Sequence, residues 1–317
     1  MISQSVTTLW TLMRRELWES PVAFKWTPLA IGAFLLLMAI VTLVIGARVD
    51  GQMVFTGDAL RILAEQPVDQ QRLIISGMLF SVATIFFQLM LLVILFYLAG
   101  SLYDDRKDRS ILFWKSLPVS DQMTVASKVA TACLLVPAMF LAAIILTHLA
   151  LLLIATGYSL VAGVNPLTTF WLPASLPRLW SVMAVGLLVQ ALWLLPIYAW
   201  LLFCSSWAPR LPILIAVAIP AGIAIAQHTW TLATSLSLPG FNFGLIMMKR
   251  LGSSIVPMSA NIQFDGHLSD IEFHEDLFMS FGNVFAHLAK PEMWIGLVIA
   301  VVLLAAAVWF RRRATDN

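Results

Sequence analysis

The chain has 317 residues, of which 60% are hydrophobic and 11% are charged, and its formal net charge is +2. Soluble domains are roughly 45 to 50% apolar and about 25% charged. This composition therefore excludes a water-soluble fold, which could not bury so much apolar surface. The small net charge indicates neither a nucleic-acid footprint nor an acidic tail. Cys133 and Cys204 lie inside long apolar runs and are expected to be packing residues.

Residues 1–27 precede the first long apolar run and contain both charged residues and tryptophan. One side of a helix drawn through this segment would carry Val6, Trp10, Met13 and Leu17, and the other side would carry Thr8, Arg15 and Glu19. This spacing predicts an amphipathic helix at the cytoplasmic surface of the membrane. A solvated tail is the alternative.

Six apolar runs are long enough to cross a bilayer, whose hydrocarbon core of about 30 Å takes roughly 20 helical residues. The predicted spans are residues 28–47, 73–103, 129–156, 179–208, 211–230 and 293–310. We expect an all-α fold, a polytopic helix bundle whose transmembrane domain covers residues 28–310. The connections of note are a loop at 104–121 and a large outer loop at 231–292, and residues 311–317 form the tail.

The distribution of positive charge predicts the orientation of the bundle. With the N-terminus inside, the inner segments hold most of the 19 lysine and arginine residues, although the outer loops are longer. Cytoplasmic segments retain positive charge during insertion, so both ends of the chain are expected in the cytoplasm.

The predicted spans contain no Asp, Glu, Lys or Arg. Ion-coupled transporters usually carry such a group at membrane depth. The polar residues that the spans do contain are Gln88, His148, Gln190, Gln227 and His228. These side chains could line a substrate path or could form hydrogen bonds between helices.

Tryptophan recurs every seven residues on the fourth span, at Trp193, Trp200 and Trp207. This stripe could form a subunit interface. Lipid contact and packing within the chain are the alternatives.

Motifs for soluble chemistry do not point to an enzyme. The sequence has no G-x-x-x-x-G-K-[ST] loop for nucleotide phosphates. The outer loop carries acidic and histidine residues, namely Asp265, His267, Asp270, Glu272, His274, Glu275, Asp276 and His287. Their spacing matches no recognised ligand pattern, so a solvated acidic face is expected there and no metal.

The loop between the second and third spans combines charge with large apolar side chains. Its charged half runs from Asp104 to Arg109, and its second half is a short helix-compatible stretch that stops at Pro118. Ser120 or Asp121 then offers an N-cap for the third span. Such a helix could dock into a groove of another protein or lie flat on the lipid surface.

The passage from Leu102 to Lys128, with Tyr-Asp-Asp-Arg-Lys-Asp-Arg-Ser near its start and Ser-Leu-Pro-Val-Ser-Asp before the lysine, resembles the cytoplasmic loop of ABC-2 type transporter permeases. The layout of six spans with both ends inside is also similar to that family. The passage covers under a tenth of the chain. It departs from the commoner Glu-Arg-Glu-x-Gly-Thr type of loop, and the last outer loop is unusually long, which leaves the substrate class open.

The resemblance implies a bacterial exporter in the cytoplasmic membrane, with ATP and Mg on two separate ATPase subunits and with a second permease copy or a sister permease. No cofactor is then expected on this chain. The loop would be the coupling helix that fits a cleft of the ATPase. Its contact residues would be Arg109, Ile111, Leu112, Phe113, Trp114, Lys115, Leu117 and Pro118. The flanking charge cluster would be Asp104, Asp105, Arg106, Lys107 and Asp108.

Two other classes of function stay open at this point. A membrane anchor or assembly factor would use the same loop to recruit a cytoplasmic partner without transport. A polytopic membrane enzyme would use the outer acidic and histidine residues, such as His267 and His274.

Overall fold

The computed structural model describes residues 2–46, 57–108, 119–234, 242–255 and 280–314, and the regular elements in these ranges are all helical. Eleven α-helices occur in the described ranges. They are α1 (Ile2–Glu19), α2 (Thr27–Gly46), α3 (Gly57–Glu65), α4 (Val68–Lys107), α5 (Asp121–Ala130), α6 (Val136–Val161), α7 (Leu176–Trp207), α8 (Pro212–Thr234), α9 (Phe243–Ile255), α10 (Phe281–Ala286) and α11 (Pro291–Arg313), with single π-helical turns before α2, α6 and α7.

Within the described ranges, six helical units are long and apolar enough to cross a membrane, which confirms the number that the sequence predicts. They are Val22–Val44, Val68–Lys107, Asp121–Val161, Leu167–Trp207, Pro212–Thr234 and Pro291–Arg313. Helix α4 has 40 residues, so it is about 60 Å long and exceeds the hydrocarbon thickness of about 30 Å. At least one end of α4 must therefore lie outside the apolar layer.

Local signals explain where the third of these units, Asp121–Val161, begins and ends. Ser120 is the N-cap of α5, and its hydroxyl accepts a hydrogen bond from the Met123 amide at 3.2 Å, as the sequence predicts. Helix α6 ends at Gly163, whose φ of 73° needs a residue without a Cβ. The amides of Gly163 and Val164 bond back to Leu160 O and Ser159 O, which is a Schellman motif.

Helix α7 is the centre of the bundle. It packs against α4, α8 and α11, and its buried residues include Leu179, Met183, Leu194, Tyr198 and Leu202. The outer helices expose apolar side chains, such as Phe34 of α2, Leu214 of α8 and Val301 of α11. Apolar faces that are exposed over the length of a helix suit lipid rather than water, so the chain is a multi-pass membrane protein.

The tryptophan stripe of α7 packs within the chain at two of its three positions. The Trp193 indole donates to Arg250 O at 3.1 Å, and the Trp200 indole donates to Ala216 O at 2.9 Å. The Arg250 guanidinium in turn lies 4.6 Å from the centre of the Trp193 ring and donates to Trp193 O at 2.8 Å. These contacts tie α7 to α8 and α9, so the intramolecular alternative holds for Trp193 and Trp200.

Helices α2 and α6 approach closely at Gly32. A Cβ at this position would lie 2.6 Å from Thr147 Oγ1 and 3.7 Å from the Phe86 ring. The Thr147 hydroxyl is already bonded to Ala143 O at 2.8 Å, and its side chain is buried. The absence of a side chain at Gly32 therefore sets how near the two helices can pack.

We expect Gly32→Ala to destabilise the bundle by roughly 1–3 kcal/mol, the usual cost of overpacking a close contact. Gly222→Ala on α8 is the matched control, because nothing lies within 4 Å of a Cβ there. The control should be neutral or slightly stabilising, since alanine favours a helix over glycine. Thermal unfolding of the purified proteins in one detergent compares them, and equal midpoints would contradict the close approach of α2 and α6.

Candidate functional site

A group of charged side chains is buried at one end of the bundle, where α1, α4, α5 and α11 meet. We call these five residues the ion-pair cluster: Glu16, Asp105, Asp121, Lys128 and Arg311. Asp121 is partly exposed, whereas the other four residues are no more than 9% exposed. Asp105 precedes residues 109–118 in the sequence, and Asp121 and Lys128 follow them.

Asp105 belongs to the buried face of α4. It follows Ile94, Leu98 and Leu102 at helical spacing, and these three residues are fully or almost fully buried. A carboxylate on that face loses its hydration, so it needs a cation beside it.

Arg311 supplies this cation from the last turn of α11. It ends a buried stripe of small residues, Gly296, Ala300 and Ala307, at helical spacing. Its Nη1 lies 3.0 Å from Asp105 Oδ2, and its Nε lies 3.2 Å from Asp121 Oδ1. One guanidinium therefore joins a carboxylate before residues 109–118 to a carboxylate after them.

A second buried ion pair holds the N-terminal helix α1 against the bundle. Lys128 Nζ of α5 lies 3.0 Å from Glu16 Oε1 and 3.0 Å from Glu16 Oε2. The Tyr97 hydroxyl of α4 donates to Glu16 Oε2 at 2.8 Å, and Arg15 donates to Oε1 at 3.1 Å. Glu16 thus receives donors from α1, α4 and α5, so a single carboxylate holds three helices together.

The face of α1 that packs differs from the predicted stripe. Leu12, Met13 and Glu16 are buried, whereas Val6 and Trp10 are 62% and 54% exposed. Met13 therefore packs within the chain, whereas the exposed Val6 and Trp10 are compatible with the predicted lipid-facing side of an interfacial helix. The interfacial position of α1 stays a prediction.

Glu19 lies one turn beyond Glu16 on the same helix and is exposed, with its Oε1 2.9 Å from Arg15 Nε. Partial burial raises the pKa of Glu19, although the Arg15 guanidinium acts in the opposite direction. The Arg15–Glu19 pair and the Lys128–Glu16 pair both join a carboxylate to a cation, but only the second is buried.

Arg106, the residue after Asp105, closes the end of α7. Its Nη2 donates to Ser205 O at 2.8 Å and to Ala208 O at 2.9 Å. The carbonyl groups of a last helical turn lack partners within the helix and carry partial negative charge. A guanidinium in this position satisfies them, and it ties the end of α4 to the end of α7.

The residues of the predicted charge cluster, Asp104 to Asp108, therefore fall into two groups. Asp105 and Arg106 bind groups on other helices, whereas Asp104, Lys107 and Asp108 are exposed. The predicted contact residues Arg109, Ile111, Leu112, Phe113, Trp114, Lys115, Leu117 and Pro118 lie outside the described residues. Their role in docking stays a prediction.

Two of the predicted path residues have structural partners. His148 Nε2 lies 2.9 Å from Leu79 O, and the Trp180 indole donates to His148 Nδ1 at 3.3 Å. A carbonyl only accepts and an indole N–H only donates, so the proton must be on Nε2. Gln227 Oε1 accepts from the Phe243 amide at 2.8 Å, at the start of α9.

The other three predicted path residues differ in exposure. Gln190 is buried on α7, whereas Gln88 and His228 are exposed. A substrate path through these residues stays a prediction.

The described residues contain no group of His, Cys, Asp or Glu side chains that could hold a metal ion. Of the eight acidic and histidine residues considered for a metal site in the outer loop, only His287 lies within the described ranges. Its ring packs edge-on against Trp193, with 5.6 Å between the ring centres. Burial lowers the pKa of His287, and the nearby Lys290 charge acts in the same direction.

Comparisons with protein-family models, with curated proteins and with solved structures found no match.

The connection of Glu16, Lys128 and Arg311 was not predicted from the sequence. A signal was present for Glu16, because it lies four residues after Leu12 and three after Met13, both of which are buried. A carboxylate on the packed face of an amphipathic helix requires a buried cation. The sequence could not indicate which of the lysines and arginines supplies it.

We expect Glu16→Gln to destabilise the protein by about 3 kcal/mol, because it leaves the buried Lys128 charge without its counter-ion. Glu19→Gln is the matched control, and it should change stability by less than about 0.5 kcal/mol, since the Glu19 side chain is 46% exposed.

The double variant Glu16→Gln with Lys128→Met should recover part of the loss, because no unpaired charge then remains buried. Denaturation of the four proteins in one detergent tests this, and equal losses for the Glu16 and Glu19 variants would contradict the buried pair.

Proposed function

We propose that the chain is the permease subunit of an ATP-binding-cassette transporter, an exporter in the bacterial cytoplasmic membrane. It would work as a homodimer or with a sister permease, and two separate ATPase subunits would hydrolyse the ATP. The observation that best supports this proposal is the contact of Arg311 with Asp105 and Asp121, on either side of residues 109–118. The resemblance of the passage from Leu102 to Lys128 to the permease loop supports it independently.

A loop that receives work from another protein must be attached rigidly to the helices that it moves. Residues 109–118 are attached on one side through Asp105 and Arg106, and on the other side through Asp121 and Lys128. Breaking a buried ion pair by removing one partner costs about 3–5 kcal/mol, so these attachments persist while the loop is displaced. A displacement would therefore reach α1, α4, α5, α7 and α11 together.

The apolar interiors of the spans are consistent with transport that is driven by a protein outside the membrane and not by an ion gradient. The charged residues of α4 lie near its two ends, from Asp69 to Arg72 and from Asp104 to Lys107. A transporter driven by an ion gradient usually needs an ionisable or coordinating group at depth. An external ATPase removes this need.

The same end of the bundle carries the positive residues that favour a cytoplasmic location. Arg311, Arg312 and Arg313 end α11, and Arg106 and Lys107 end α4. Because Arg311 contacts Asp105, both helix ends lie on one side of the membrane. The positive-inside rule supports the cytoplasm as that side.

Two variants separate docking on the ATPase from transmission of its movement. Phe113→Ala with Trp114→Ala should abolish co-purification of the ATPase, because the docking side chains are lost. Arg311→Lys should retain co-purification but uncouple the subunits, since one ammonium group cannot hold two carboxylates in the geometry of a planar guanidinium. We expect the effect of the permease on the ATPase rate to fall by roughly two- to thirtyfold, which corresponds to about 0.5–2 kcal/mol of coupling.

The control is Arg312→Lys, an exposed residue in the same helical turn, which should behave like the parent protein. Absence of an ATPase from the purified parent protein would favour the membrane anchor. Full co-purification and an unchanged ATPase rate for the Phe113 and Trp114 variant would contradict the docking role.

A further inference from the structure

A cavity of about 860 Å³ opens beside α4, at the end of the bundle that carries the ion-pair cluster. One wall is an apolar face of α4 that includes Leu89, Leu92, Val93 and Phe96. The opposite wall comes from the end of α1 and the turn that follows it, residues 19–23. This volume falls within the roughly 300–1,000 Å³ of sites that hold one drug-sized ligand.

The apolar wall is open to the lipid. Leu92 is 49% exposed and Phe96 is 63% exposed, and both lie within the span. A ligand could therefore enter from the bilayer and keep an apolar body against these two side chains.

The polar end of the cavity is acidic. Its charged lining residues are Glu16, Glu19, Asp104, Asp105, Asp108 and Lys128. Glu16 and Lys128 balance each other, and Arg15 and Arg311 balance Glu19 and Asp105. The carboxylates of Asp104 and Asp108 are exposed and make no ion pair with another described residue. Lys107 and Lys128 offset part of the Asp104 charge. Counted over the described residues, the lining of the cavity remains net negative.

Asp108, the C-cap residue of α4, follows Asp104 by four residues. Like charges at this spacing repel each other and weaken a helix by a few tenths of a kcal/mol. A bound cation would relieve this repulsion.

The distance between the apolar wall and the carboxylates sets the size of a ligand. Phe96 and Asp104 are eight residues apart on α4, which is about 12 Å along the helix axis. We propose that this cavity binds a cationic amphiphile, with its alkyl or aromatic body against Leu92 and Phe96 and its positive group between Asp104 and Asp108. That such a molecule is the transported substrate rests on the proposed function.

Radiolabelled decyltrimethylammonium below its micelle concentration is a suitable probe, because a ten-carbon chain spans about this distance. The purified chain in nanodiscs of zwitterionic lipid should bind it saturably, after subtraction of uptake by empty nanodiscs. Decanesulfonate, which matches the chain length but has the opposite charge, should show no saturable binding. Equal saturable binding of both probes would overturn the proposal.

Asp104→Asn with Asp108→Asn should weaken binding of the cation by about tenfold, since each partly exposed charge contributes a few-fold. Asp69→Asn is the matched control on the same helix, because the Asp69 side chain is 93% exposed at the opposite end of α4. Phe96→Ala should also weaken binding, because it removes part of the apolar wall. Unchanged affinity in the Asp104 and Asp108 variant would overturn the site, whatever the result for Phe96.

The binding experiment contains no ATPase, so its outcome does not depend on the docking experiment. The substrate assignment is tested separately with the assembled transporter. Decyltrimethylammonium should change the ATPase rate of the parent complex but not that of the Asp104 and Asp108 variant. Binding without any change in rate would overturn the substrate assignment and leave the proposed permease function standing.

Discussion

A charge that is buried away from water must have a counter-charge, and this constraint determines how one end of the bundle is assembled. Arg311 is 3% exposed and lies between Asp105 and Asp121, while Glu16 and Lys128 form a second buried pair. Apolar packing alone leaves helices free to slide and rotate by small amounts. Paired charges fix both the depth and the rotation of the helices that carry them, because either partner would be costly to bury alone.

Consecutive residues at the end of α4 face different surroundings. Asp105 and Arg106 bind α11 and α7, whereas Asp104 and Asp108 line the cavity beside α1 and make no ion pair with another described residue. A movement of this helix end would thus change the shape of the cavity as well as the position of residues 109–118. Under the proposed function, this geometry would connect an ATPase bound at residues 109–118 with the cavity beside α4.

The sequence predicted the features that depend on short stretches of chain. The number of membrane-spanning helices follows from long apolar runs, and the Ser120 cap follows from one residue type at one position. The ion pairs could not be predicted in this way, because Glu16 and Lys128 are separated by 112 positions and Asp105 and Arg311 by 206. Only the packing of the helices decides which charges meet. For the same reason the sequence did not indicate that Glu16 lies on the packed face of α1.

The account depends on the ion-pair cluster facing the cytoplasm, where an ATPase can act on residues 109–118. The most direct test is single-cysteine labelling with a membrane-impermeant maleimide, in a variant whose Cys133 and Cys204 are replaced by alanine. Lys107→Cys and Arg312→Cys should react only from the cytoplasmic side, and Asp69→Cys, at the opposite end of α4, should react only from outside. Reaction of Lys107→Cys from the outer side alone would contradict the account.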